Sequence, residues 1–174
     1  MVDGKESAEM SIQMAQDFYD VHDQTPVVAG LINVMSPLGI STAMCEALIT
    51  YARAGQPVVV AEGGFPGVTL PPSIAGTLVS NNAGILAGIT LAQLVNPGTP
   101  VVYGLPAVSG DLKVISMAIG GAETPLFVYY AKEIANYYHL PVRAGGGLTD
   151  AKAVDYQAGK ETALNLFATY GAGI

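Results

Sequence analysis

Four short apolar runs, each opened by proline, set the plan of this chain: Pro26-Val-Val-Ala-Gly-Leu-Ile, Pro57-Val-Val-Val-Ala, Pro100-Val-Val-Tyr-Gly and Pro141-Val-Arg-Ala-Gly. Valine-rich runs that do not alternate with polar residues fit parallel strands covered on both faces. Proline at the first strand position removes no interior ladder bond. The runs start near residues 27, 57, 100 and 141, so 30, 43 and 41 residues separate them. Each interval has room for a strand, a loop and a helix.

A helical pattern follows each run. Residues 41–54 place Met44, Ala47, Leu48 and Tyr51 on one stripe, with Gly55 as a stop. Residues 73–95 close at Asn96-Pro97-Gly98. Residues 124–139 put Leu126, Tyr130, Ile134 and Tyr137 on one face, and residues 150–170 bring Leu164, Phe167, Ala168 and Gly171 together. Residues 7–19 predict one more amphipathic helix. The chain therefore reads as α/β, α(βα)4 with parallel strands: an acidic N-terminal helix in 1–25 and the repeating part in 26–174. An open doubly wound sheet and half of a (β/α)8 barrel both meet this pattern. The ending Gly171-Ala-Gly-Ile174 resembles the approach to another strand, so a segment of something longer is expected. Half a barrel would leave strand edges uncovered, which predicts a homo-oligomer.

Charge excludes several classes. Of 174 residues 51% are hydrophobic and 12% charged, and the net charge is −7. The seven basic residues are scattered singly, whereas a nucleic-acid surface needs them clustered. Acids gather at the N-terminus (Asp3, Glu6, Glu9, Asp17, Asp20, Asp23), as on a solvated helix face. The lone Cys45 rules out an intrachain disulfide and a cysteine zinc cluster, reads as a buried inert thiol, and fits a cytoplasmic protein. No charge occurs between Glu62 and Asp111, but prolines and asparagines interrupt that stretch, and its cleanest apolar piece, 85–95, is too short to span a bilayer. No membrane partner is expected.

In either architecture function sits on the loops after the strand C-termini. The candidates are Asn33 and Ser36, then Glu62 and Phe65, then Tyr103 and Asp111, and finally Arg143 with the 148–152 loop. Glu62 is the only acid in a long apolar region, so burial should raise its pKa or require a partner. Tyr103 is expected to point toward a mouth or barrel centre. Gly145-Gly146-Gly147 reads either as a phosphate cradle or as a flexible turn, with Thr149 or Asp150 capping the next helix. His22 and His139 are far apart and suggest no metal site, and no Gly-x-Ser-x-Gly elbow is present.

Several strings in order then carry a family resemblance: Ser36-Pro-Leu, Ala75-Gly-Thr-Leu-Val with Asn82-Ala83, Leu91-Ala-Gln-Leu-Val-Asn-Pro-Gly with Val101-Val-Tyr-Gly, Asp111-Leu-Lys, and Asp150-Ala-Lys followed by Asp155-Tyr-Gln-Ala-Gly-Lys-Glu161. Over residues 26–174 the chain resembles the trimethylamine methyltransferase family. The resemblance implies a (β/α)8 barrel of the TIM type, of which this chain covers about half. It also implies methyl transfer from a methylated amine to the cobalt of a separate corrinoid protein, so no cofactor is expected on this chain. Trimethylamine-specific members carry pyrrolysine two residues before Asp-Ala-Lys, where this chain has Leu148. The resemblance therefore points to the pyrrolysine-free branch, which acts on quaternary amines such as glycine betaine. The family often reads Asn-Ala-Glu where this chain has Asn82-Ala83-Gly84. Within this frame Phe65 and Tyr103 are expected to meet the cation, Glu62 to supply negative potential, Arg143 to meet a substrate carboxylate, and Asp150 to belong to the catalytic loop. The alternatives are a non-catalytic βα scaffold and a phosphate-ligand enzyme using Gly145–Gly147.

Overall fold

Why the first strand starts late is visible in one side chain. Gln56 is fully buried, and its Oε1 accepts the amides of Val27 and Val28 at 2.8 and 3.3 Å. Those two residues are thus satisfied by a side chain instead of the sheet, and β1 begins at Gly30 and ends at Val34. The structure is a computed structural model describing residues 4–106, 109–113 and 115–174; Asp3 of the acidic cluster lies outside the described residues. The helix before β1, α1, covers Gly4–Tyr19, and α2 covers Thr42–Arg53. Next come β2 (Val58–Glu62), α3 (Ile74–Val95) and β3 (Val101–Gly104). Two further strands, β4 (Ser109–Asp111) and β5 (Ser116–Ala118), precede α4 (Glu123–Tyr137), β6 (Val142–Arg143) and α5 (Tyr156–Ala172).

The four expected strands form one parallel sheet in the order β1-β2-β3-β6. Its C-terminal row runs Asn33–Ala61–Gly104–Arg143 in register. Spatial order follows chain order, and the sheet-packing helices share one face. The Tyr51 ring of α2 rests on Gly30, Gly84 and Gly88 of α3 face Glu62 and Val60, and Tyr138, just after α4, lies beside Tyr103. A doubly wound sheet would reverse its strand order and carry helices on both faces. The sheet here is wound to one side only.

The core lies between this sheet and the helices: Ile32, Val58, Val60 and Tyr103 from the strands, Leu48 and Tyr51 from α2, Ile85 from α3, Phe127 from α4. Each fully buried aliphatic chain contributes roughly 1.5–3 kcal/mol. Helix starts follow ordinary capping chemistry, with the Ser41, Ser73 and Asp155 side chains accepting amides of Met44, Gly76 and Ala158. The α2 stripe is inward as its spacing predicts. Among the described residues α3 alone is long and apolar enough to cross a membrane; here it packs against the sheet through Gly84, Ile85 and Gly88.

Several expectations need correction. The buried face of α4 is Phe127, Val128, Ala131 and Ala135, while Leu126, Tyr130 and Tyr137 (79% exposed) face outward and Ile134 is only partly buried. Alanines let the helix approach closely, and the large residues beside them are left outside. α5 starts at Tyr156 instead of residue 150, capped by Asp155 and not by Thr149 or Asp150. It buries Asn165 and Ala168 and leaves Phe167 77% exposed. Cys45 is half-buried. The β4–β5 antiparallel pair has no counterpart in the sequence reading; its strands are too short and polar to leave a periodic signal.

Candidate functional site

Registered neighbours in a parallel sheet point to the same face. Glu62 and Tyr103 belong to the helix-facing set, and both are 0% exposed. The Tyr103 hydroxyl donates to Asn82 Oδ1 at 3.0 Å, and Asn82 Nδ2 donates to the Tyr138 hydroxyl at 3.0 Å. Burial first, then the fields of Tyr138 and Glu62, push the Tyr103 phenol far above its ordinary range. The expected aim of Tyr103 toward a mouth or barrel centre is therefore corrected: even positions on β2 and odd ones on β3 meet the helices. Glu62 lies under α3 likewise. Its Oε1 accepts from Ser36 Oγ at 2.8 Å, while Oε2 and both polar atoms of Asn81 find no hydrogen-bond partner among the described residues. Burial raises the Glu62 pKa and the Ser36 bond partly opposes this. Of the two expected consequences of burial, a raised pKa and a partner, the first acts on the whole carboxyl and the second reaches only Oε1.

The opposite face presents Leu31, Asn33, Val59 and Val102, all half-exposed, with Arg143 exposed at the strand ends beside Gly104. A small neighbour leaves the guanidinium room to meet a ligand over the sheet. Arg143 is the one cation on the described strands.

Phe65 and Asp150 are brought together. They line one pocket of about 380 Å³ with Val68, Ile115, Met117 and Ile119. Its size is within the roughly 300–1,000 Å³ of small-molecule sites. The lining comes from the segments after three sheet strands: Phe65 and Val68 after β2, Ile115–Ile119 in and beside hairpin strand β5 after β3, Asp150 after β6. The walls are mostly apolar; Ser116 and Asp150 are the polar members, and Asp150 Oδ2 accepts the Gly120 amide at 2.9 Å. One aromatic ring, one thioether and a carboxylate suit a soft organic cation. Asp111 instead binds the Lys113 amide within the hairpin turn at 2.8 Å. A larger hollow, about 580 Å³, lies between α1 and α2 and is lined by Lys5, Glu9, Gln13, Glu46 and Arg53, away from this chemistry. Met117 and Ile119 were missed in the sequence because nothing marks a three-residue strand there.

Leu148 is 39% exposed, and its Cδ1 would lie 2.9 Å from a Cβ on Gly145. His22 and His139 are exposed at the ends of α1 and α4, and among the described residues no group of three or more His, Cys, Asp or Glu is placed to hold a metal ion.

A four-stranded parallel sheet alternating with helices defines an α/β protein, with the pocket on the side of the strand C-termini. Comparison makes it specific. Residues 1–174 match the family described as Trimethylamine methyltransferase (MTTB), and the chain belongs to that family. It is 44% identical to the glycine betaine methyltransferase of Desulfitobacterium hafniense (strain Y51) over 175 residues, covering 99% of this chain and 36% of the relative. Against the proline betaine:corrinoid methyltransferase of Eubacterium limosum the figures are 37% over 166 residues, 95% and 34%. Against the trimethylamine methyltransferase of Methanosarcina barkeri they are 37% over 157 residues, 86% and 32%. The chain spans about a third of the length of the curated relatives it matches.

Proposed function

We propose that this chain takes part in moving a methyl group from a carboxylated quaternary amine, of the betaine kind, to the Co(I) of a separate corrinoid protein. The observation that carries the reading is Arg143: a lone exposed cation at the strand ends, beside Gly104, on the sheet face free of helices. Such a group matches a carboxylate by a bidentate, charge-assisted contact. Family membership and the two betaine-named relatives support it. So does leucine at 148, where the resemblance puts pyrrolysine in trimethylamine-specific members.

The chemistry is consistent with so plain a site. In a quaternary ammonium the C–N electrons leave to nitrogen and release a neutral tertiary amine, while the cobalt of the acceptor supplies the electron pair for the new bond. The protein has mainly to orient donor and acceptor in line. Phe65, Met117 and Asp150 would hold the cationic head, and Arg143 the carboxylate. The one-sided sheet, with edges at β1 and β6, supports a (β/α)8 barrel completed by further chain, and association of this segment on its own.

The test is a methyl-transfer assay with Co(I) corrinoid protein, following Co(I) consumption and release of tertiary amine. Turnover of a betaine, with little or none of trimethylamine, is expected. Turnover of trimethylamine alone would overturn the reading.

A further inference from the structure

The glycine run at 145–147, which substrate binding leaves unexplained, lies against a polar row on α5. Glu161, Asn165 and Thr169 are four residues apart and so share one helix face. Each takes a different group of the loop after β6. Asn165 Nδ2 donates to the Leu148 carbonyl at 2.9 Å; the Thr169 hydroxyl shares its one proton between the Gly145 carbonyl at 3.2 Å and the Asn165 carbonyl of its own helix at 2.8 Å. Glu161 Oε2 accepts the Asp150 amide at 2.9 Å and the Thr149 hydroxyl at 2.7 Å. Thr149 Oγ1 in turn accepts the Ala151 amide at 3.0 Å, and Glu161 Oε1 accepts from Gln157 at 2.8 Å.

We infer that this row is the positioning element of the site: Glu161, Asn165 and Thr169 fix the 145–150 loop and thereby set where Leu148 and Asp150 stand. The inference rests on the functional reading above for its catalytic consequence, though not for its geometry. Close approach to this row explains Gly146 and Gly120. A Cβ on Gly146 would stand 2.6 Å from Thr169 Oγ1, and one on Gly120 would overlap the Glu161 carboxyl. Gly120, the chain neighbour of the pocket residue Ile119, is also the residue whose amide Asp150 binds, so the Asp150 and Ile119 side of the pocket is referred to one helix. The same geometry disfavours a phosphate at the loop. A carboxylate already occupies the Asp150 amide, and α5 does not begin until six residues later. The loop is a held segment, not a flexible turn.

Three variants and a control test this. Loop geometry is read from the Asp150 amide proton by NMR. In the wild type its shift should titrate with Glu161 below the ordinary glutamate value of 4.5, because Thr149, Asp150 and Gln157 all donate to that carboxylate. Glu161→Gln should remove that Glu161-dependent step. Asp155→Asn, at the N-cap of the same helix, should leave it. In the methyl-transfer assay a displacement on the order of 1 Å costs roughly 100-fold. Glu161→Ala and Asn165→Leu should therefore lower kcat/KM at least about tenfold, Glu161→Gln less, and Asp155→Asn less than about twofold. An Asp150 amide indifferent to Glu161 overturns the inference. So does an active wild type whose kcat/KM falls no more in Glu161→Ala than in Asp155→Asn. A wild type inactive on every methylated amine overturns the functional reading instead, and the amide titration still decides the row.

Discussion

Gly84 and Glu62 occupy one space between α3 and β2: a Cβ at 84 would overlap Oε2 of the buried carboxylate. This gives a physical account of the departure at Asn82-Ala83-Gly84. A carboxylate cannot stand on the helix at 84 while one enters from the strand at 62. The fold keeps the acid on the strand, where Ser36 reaches it.

Gly84→Ala should consequently destabilise the chain. Alanine gains about 1 kcal/mol in helix propensity over glycine, but overpacking typically costs about 1–3 kcal/mol, and here the opposing atom is a buried carboxylate oxygen. Urea denaturation should show a lower midpoint. Adding Glu62→Ala should recover much of the loss, since contacting residues are not additive. A midpoint at or above wild type in Gly84→Ala would remove the steric argument.

Glu62 also makes stability depend on pH. Burial raises its folded pKa above the unfolded value of 4.5, so the native state binds more protons than the unfolded chain between the two values. Its contribution is present in full below 4.5 and is lost as pH rises through the folded value. Glu62→Gln should match wild type in acid and exceed it near neutrality. Glu161 has the opposite sign: its lowered pKa gives stability above 4.5 that is lost on acidification. Urea titrations of wild type and Glu62→Gln at both ends of this range check the sign; a variant weaker than wild type near neutrality refutes it.

Much of the fold was legible in the sequence because valine runs and proline starts are local signals. The four strands, their parallel order and the α2 stripe all follow from them. What was not legible depends on partners far along the chain. Gln56 takes the amides of Val27 and Val28, so β1 starts later than its apolar run. The inward face of α4 joins Phe127 and Val128 to two alanines, and that of α5 holds Asn165 and Ala168, whereas a reading by size favours Tyr130 and Phe167. Strand parity decides whether Tyr103 or Gly104 faces the helices, and a slip of one residue in the β3 boundary reverses the answer. Of the candidate site, Phe65 and Asp150 lie in loops after strands and Arg143 ends β6, while the Met117 wall and the α5 row needed the tertiary structure.

Gly159 offers a contrast to Gly84 inside α5. An added Cβ there meets nothing within 4 Å. Gly159→Ala should stabilise the chain by about 0.5–1 kcal/mol through helix propensity and a stiffer unfolded state. A thermal midpoint below wild type would mean that something covers this helix face in solution.

Tyr103→Phe separates packing from substrate contact. The ring stays buried against Tyr138 while the hydroxyl donation to Asn82 is lost. Stability should fall by about 0.5–1.5 kcal/mol, and affinity for a quaternary amine should not change. A clear loss of affinity at unchanged stability would return Tyr103 to the substrate site.

Arg143 is where substrate class should be read. Opposite it in the register stand Gly104 and Ala61, neither able to pair a carboxylate, so the guanidinium has no substitute on those two neighbouring strands. A hydrogen bond to a charged group is worth about 1.5–3 kcal/mol, and Arg143→Gln should raise KM for a betaine by roughly 10–100-fold. Arg143→Lys should lie between, because an ammonium keeps the charge but loses the bidentate fork. A cation without a carboxylate, such as tetramethylammonium, should bind all three proteins alike. Competition of tetramethylammonium against the betaine measures both at once. Equal weakening of the two ligands would show that Arg143 supports the site in general, and the carboxylate would then have to be met elsewhere.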